Sequence, residues 1–169
     1  MTDPRCSQPP RINRVTDDVG TRGIEAVFHI NVGAEPMLEV LWDTDSYGEM
    51  FPDVKAYRVL DQSDVQVDVE MTVDAVLKHV RYVLRRSLDR DNLTITWREI
   101  GGELKRVRGG WWVRRTDRDE VSELTYRAFV AVNRFVPTRL VAATATRKLD
   151  EMAERVRRVA GRLAARRDA

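Results

Sequence analysis

The stretch PTRLVAATATRKLDEMAERVRRVAGRLAARR at 137–167 decides the fold. Within it Val141, Ala145, Leu149, Met152, Val156, Val159 and Leu163 recur at spacings of three or four, which sets them on one stripe of an α-helix. No other segment sustains that period. A stripe of this length needs an apolar partner surface, and most of the chain before it alternates apolar and polar residues with the period of strands. The first part of the stripe is small: Ala142, Ala143, Thr144, Ala145 and Thr146. Small side chains on a helix that covers a sheet either let the two pack closely or leave a space between them.

Outward from the helix, the strands are read from their alternation. In 21–32, Ile24, Ala26, Phe28, Ile30 and Val32 share a face. Two short helices follow, the first opened by Ala34-Glu35-Pro36 and carrying Met37, Leu38, Leu41 and Trp42, and both end at Phe51-Pro52-Asp53. Strands are then expected over 54–60, 64–74, 76–88, 93–98, 104–115 and 121–134. In the clearest of them Val65, Val67, Val69, Met71 and Val73 face one way, while Asp64, Gln66, Asp68, Glu70 and Thr72 face water. One wet face means an open antiparallel sheet. The expected class is α+β: a curved antiparallel sheet wrapped around a long C-terminal helix. Residues 1–20, rich in proline and charge, read as a flexible lead-in carrying an exposed Cys6, and residues 21–169 as one domain.

Composition narrows the function. With 169 residues the chain is long enough for one domain with a real core. Its 29 Lys and Arg against 27 Asp and Glu leave a net charge of +2, which argues against a dedicated nucleic-acid binder. Cys6 is the single cysteine, so there is no intramolecular disulfide and no cysteine metal cluster, and two histidines make a His-rich metal site unexpected. No cofactor is expected. No signal-peptide core and no membrane-length apolar run is visible, so the expected setting is the cytoplasm.

Catalytic patterns are sparse. There is no phosphate-binding glycine loop, no HExxH and no GxSxG. His79, beside Arg81 on a polar strand face, reads either as a solvated histidine or as a general base in a pocket. His29 shares a face with Glu25 and Asn31 and reads as a surface residue. The aromatic residues are a stronger lead. Trp97, Trp111 and Tyr126 fall on the apolar faces of three separate strands, where they either fill a core or line a pocket. Met71 and Met152 adapt to irregular shapes. The arginines of the last helix are mostly explained as a solvated face with Glu151–Arg155 and Glu154–Arg158 pairs. Arg162, Arg166 and Arg167 leave its end basic enough for a weak contact with RNA or an anionic membrane.

The element order, the Tyr47…Phe51-Pro52-Asp53-Val54 segment, the Gly-Gly-Trp-Trp-Val strand at 109–113 and the long closing helix together resemble the START-like helix-grip (SRPBCC) superfamily. The nearest branch is the polyketide cyclase/dehydrase and lipid transport family, on the side of the coenzyme Q-binding proteins. The resemblance covers about residues 21–160. It implies a cavity between sheet and helix for an apolar ligand, with Phe51-Pro52 at its rim and Trp111 in the late strand, and it carries over no catalytic residue. On this footing the expected ligand-binding residues are Leu41, Phe51, Val69, Met71, Tyr82, Trp97, Trp111, Tyr126, Ala145 and Met152. Three functions stay open: holding or transporting a lipid, quinone or polyketide; aromatase/cyclase action on a polyketide-like substrate; or interaction with a ribosome or membrane. The oligomeric state is left open.

Overall fold

In the computed structural model, residues 1–74, 79–104, 106–131 and 138–169 are described, the side chains of 138–146 excepted. Among them, eight strands form one antiparallel sheet: β1 Arg11–Thr16, β2 Arg22–Ile30, β3 Val54–Gln62, β4 Gln66–Asp74, β5 His79–Asp89, β6 Thr94–Gly102, β7 Val107–Arg115 and β8 Ser122–Val130. The helices are α1 Ala34–Trp42, α2 Thr44–Tyr47 and α3 Thr138–Arg167, with a single 3₁₀ turn at Gly48–Met50 after α2. This is the helix-grip arrangement that the alternating strands and the long helix predict.

The strand order is β1-β2-β8-β7-β6-β5-β4-β3. From β2 the chain crosses to the far edge through α1 and α2. It then returns as a meander until β8 pairs with β2, Ile24 opposite Ala128 and Phe28 opposite Leu124. The crossing lays α1 beside α3 on the concave face, so Met37, Leu38, Leu41 and Trp42 join one core with Leu149, Met152, Val156 and Val159. Each inward strand position feeds that core in turn, as the period-two pattern requires.

Two glycines have steric reasons. A Cβ at Gly109 would lie 2.7 Å from the Trp97 ring, its register partner on β6, and would collide with the Arg127 carbonyl. The missing side chain is what lets the indole lie across β7. Gly102 ends β6 at φ +99°, where an L side chain is strained.

The first twenty residues differ from the expected lead-in. They hold a 3₁₀ turn at Pro4–Ser7 and the edge strand β1, paired with β2 from Arg11↔Val27 to Thr16↔Arg22. Cys6 is 7% exposed rather than free at the surface. Burial and the nearby Asp3 charge push its thiol pKa up, which makes it a poor nucleophile. The segment is hard to read because few apolar side chains hold it. An edge strand is held by its backbone ladder. The rest is polar: Asp3 accepts from Arg5 and Arg118, and Arg157 of α3 donates to the Gln8 carbonyl at 2.7 Å.

Asp68 is a second difference. It was expected in water, yet it is buried beneath a two-point pairing with Arg85, both bonds at 2.9 Å. His29 is half-buried, 3.5 Å from Glu123, instead of fully at the surface. The ends expected for three strands, at 76–78, at 105 and at 132–134, lie outside the described residues, as does Pro137.

Candidate functional site

Between the concave face and α3 lies a cavity of about 190 Å³. Its sheet wall is made by inward positions of β4 to β8: Met71, Val73, Tyr82, Leu84, Trp97, Val107, Tyr126, Ala128 and Val130. The segment after α1 supplies Tyr47, Phe51, Pro52 and Asp53, and α3 supplies Lys148, Leu149 and Met152. The aromatic rings make a connected set. Tyr47 is 4.9 Å from Phe51, Phe51 is 5.9 Å from Tyr126, and Tyr126 is 5.7 Å from Trp97 and 4.9 Å from Trp111. Such tilted pairs contribute beyond the apolar area that they bury and so help hold the wall together.

Six of the ten residues expected at a ligand are brought together here: Phe51, Met71, Tyr82, Trp97, Tyr126 and Met152. Leu41, Val69 and Trp111 are fully buried outside the lining. Trp111 stands behind Tyr126 and supports it, with Phe28 edge-on behind at 6.3 Å. The side chain of Ala145, and the small stretch 142–146 with it, lies outside the described residues. Tyr47, Asp53 and Lys148 were missed as lining residues. Tyr47 carried a signal, one helical turn before Phe51. Asp53 belongs to the family-like Tyr47…Phe51-Pro52-Asp53-Val54 segment, but a lone charge in a loop reads as solvated, and Lys148 on the helix carried no signal.

Polar chemistry in the cavity is limited and localised. Lys148 and Asp53 form an ion pair at 2.9 Å, each about a third exposed, bridging α3 and the start of β3. The phenols are the other polar groups. Burial, followed by the neighbouring Tyr47 and then Asp53 charges, raises the Tyr82 pKa; burial, followed by Tyr47, Tyr82 and Asp53, raises that of Tyr126 as well. Burial raises Tyr47 as well, and the Arg86 charge partly offsets it. All three stay neutral hydrogen-bonding groups at physiological pH.

Arg86 is the residue that the sequence did not flag. It occupies an inward position of β5, opposite Val67 and Trp97, and is 0% exposed. Among the described residues no carboxylate lies within ion-pair distance of it. Its guanidinium sits instead 3.7 Å from the Tyr47 ring centroid and 5.1 Å from that of Trp42, and donates to the Leu41 carbonyl at 2.6 Å. That carbonyl belongs to the last turn of α1, where the helix dipole favours a cation. Arg86 Nε and Trp111 Nε1 are both buried donors without a partner.

The histidines stand apart. His79 is largely exposed, 2.7 Å from Asp74, and does not line the cavity. Among the described residues no group of three or more His, Cys, Asp or Glu side chains could hold a metal ion. On α3, Arg155 pairs with Glu151, Arg157 with Glu154 and Arg162 with Glu49, so part of the basic end is neutralised internally. No helix among the described residues is long and apolar enough to cross a membrane.

Residues 30–157 match the family described as polyketide cyclase / dehydrase and lipid transport. No curated protein matches the sequence. Solved structures share the fold at low identity. The ZhuI aromatase/cyclase from Streptomyces sp. R1128 is 19% identical, with a TM-score of 0.70 over 90% of this chain and 95% of that one. A STAR-related lipid transfer protein fragment from Xanthomonas axonopodis is 16% identical, with a TM-score of 0.72 over 91% and 94%. Human StAR-related lipid transfer protein 5 is 9% identical, with a TM-score of 0.70 over 94% and 85%.

Proposed function

Because the chain belongs to the polyketide cyclase/dehydrase and lipid transport family, we propose that it binds a small apolar, ring-bearing molecule in the cavity beneath α3. The observation that carries this reading is the wall itself: aromatic and aliphatic side chains enclose a space, with neutral phenols and one ion pair as its polar groups. Burial of ligand surface supplies the drive, at about 25 cal/mol per Å² before ordering costs. The volume, about 190 Å³, is below the ~300–1,000 Å³ of sites that enclose a drug-sized ligand. It suits one or two fused rings, such as a quinone head or a small polyketide, or one end of a longer lipid.

One observation favours a second reading, the aromatase/cyclase kind. Tyr47 lines the cavity with the Arg86 cation against its ring. A phenol backed by a buried cation would stabilise negative charge developing on a bound carbonyl oxygen. In that reading Tyr47 donates the hydrogen bond, and Phe51, Trp97 and Tyr126 hold the chain folded.

Native mass spectrometry of protein purified from its own host, before and after organic extraction, tests both. A reproducible extra mass removed by extraction supports binding, and its identity separates lipid or quinone from polyketide. A bare protein that takes up nothing from a lipid, quinone and polyketide panel overturns the cavity reading.

A further inference from the structure

We propose that Lys148 and Asp53 form a head-group site at the cavity mouth, which selects apolar molecules ending in a single carboxylate. This rests on the cavity reading above and adds the ligand's polar end. Both side chains belong to the lining, beside Phe51 and Pro52 on one side and Leu149 on the other. Their ion pair at 2.9 Å is the one formed between lining residues among those described. A partly exposed pair of this kind is weak, because water competes for both partners. Exchanging one carboxylate for another on the Lys148 ammonium therefore costs little.

A ligand acid has an advantage that free acids in solution lack. Once its apolar body is seated among Met71, Trp97 and Tyr126, its carboxylate is tethered close to Lys148 and competes at a raised effective concentration. Asp53 is built to give way. Its carbonyl accepts from the Asp74 amide at 2.9 Å, which fixes the main chain, while its side chain is about a third exposed to solvent. Among the described residues the wall provides no second cation: Arg86 lies outside the lining, with its Nη groups against Leu41 and Tyr57. An amide or ester at the same place would leave the Lys148–Asp53 pair intact and gain nothing from it.

The test is calorimetric titration of the full chain with two isosteric pairs: 1-naphthylacetic acid against 1-naphthylacetamide, and decanoic acid against decanamide. The expected result is tighter binding of at least one acid, by about fivefold, over its amide. Lys148→Met should reduce that preference to within about twofold, and Asp53→Asn, which frees the ammonium, should widen it. Equal binding of acid and amide in both pairs overturns the head-group site while leaving the cavity reading standing. A preference that survives Lys148→Met overturns it equally. If no member of either pair binds the unaltered protein, the cavity reading fails for molecules of this size and the head-group site fails with it.

Discussion

The guanidinium carbon of Arg86 lies 3.7 Å from the centre of the Tyr47 ring, with no carboxylate to neutralise it among the described residues. A fully buried cation is tolerated there because four weaker partners converge: a helix-terminal carbonyl, two aromatic faces and the Tyr57 hydroxyl at 3.5 Å. Arg86 thereby ties β5 to α1 and α2, the elements that present Tyr47 and Phe51 to the cavity.

Replacing Arg86 with Met keeps much of the stem and removes the charge. A hydrogen bond to a charged group contributes about 1.5–3 kcal/mol and a desolvated cation–π contact about 2 kcal/mol, offset by relief of the ion's desolvation. Urea denaturation of Arg86→Met should show a net loss of about 1–3 kcal/mol. A gain in stability would mean that desolvation outweighs the four contacts.

All four tyrosines of the chain have raised pKa values, chiefly through burial, with Tyr57 pushed up to about 12. A group whose folded pKa exceeds its unfolded value stabilises fully below the unfolded pKa, about 10 for tyrosine, and that contribution is lost as pH rises through the folded value. The protein should therefore lose stability above about pH 10. Absorbance of phenolate should appear together with loss of circular dichroism, in one cooperative step. Phenolate forming at pH 10 in a fully folded protein would contradict the burial of these rings.

Asp68 behaves in the opposite sense. Hydrogen bonding from Arg85 lowers its pKa, so its contribution is present above the unfolded value of about 4 and is lost as pH falls through the folded value. Asp68→Asn should be less stable than the parent at pH 7, and the gap should narrow below about pH 4. A gap independent of pH would assign the effect to packing.

Gly109→Ala should force the Trp97 indole and the β8 backbone apart. Overpacking of this kind costs about 1–3 kcal/mol. Tryptophan fluorescence should shift as Trp97 moves, and ligand uptake should weaken because the ring is part of the wall. An unchanged spectrum with unchanged stability would mean that the sheet absorbs the methyl group.

Ala128 lines the cavity from β8, opposite Gly109 and Ile24. Ala128→Leu fills space and leaves the polar groups untouched. Binding of any cavity ligand should fall by about tenfold or more, which corresponds to about 1.4 kcal/mol, while the melting temperature stays level or rises. Undiminished binding in a folded variant would place the ligand elsewhere.

The fold was legible because its signals are repetitive. Leu149, Met152, Val156 and Val159 mark one face of α3 by spacing alone, and β4 and β5 show the same regularity with period two. Met71, Tyr82, Trp97 and Tyr126 were legible for the same reason, because an inward position on a curved sheet is a position near the cavity, whereas Met152 was legible from the stripe of α3 and Phe51 from the family resemblance. Val69 and Trp111 share that inward strand signature, as Leu41 shares the apolar stripe of α1, and whether such a residue touches the space or the layer behind it depends on curvature, which one sequence does not display. Arg86 was hidden because an arginine in an alternating strand reads as solvent-facing, and only the arrival of α1 and Tyr47 makes its burial favourable. Asp53 and Lys148 lie far apart in the chain, and their meeting is purely tertiary.

The pairing of β2 with β8 has a kinetic consequence. Ile24 and Ala128 are neighbours in the sheet yet about a hundred residues apart in the chain, while β3 to β8 follow one another directly. On the ribosome the meander can assemble hairpin by hairpin as it emerges. The β1–β2 hairpin has to wait for β8, and the concave face lacks its long helix until α3, which follows all eight strands, has left the tunnel. For that interval Trp97, Trp111 and Tyr126 face solvent together. The nascent chain is then at its most adhesive, and an apolar ligand or a chaperone that reaches it first would meet the site open.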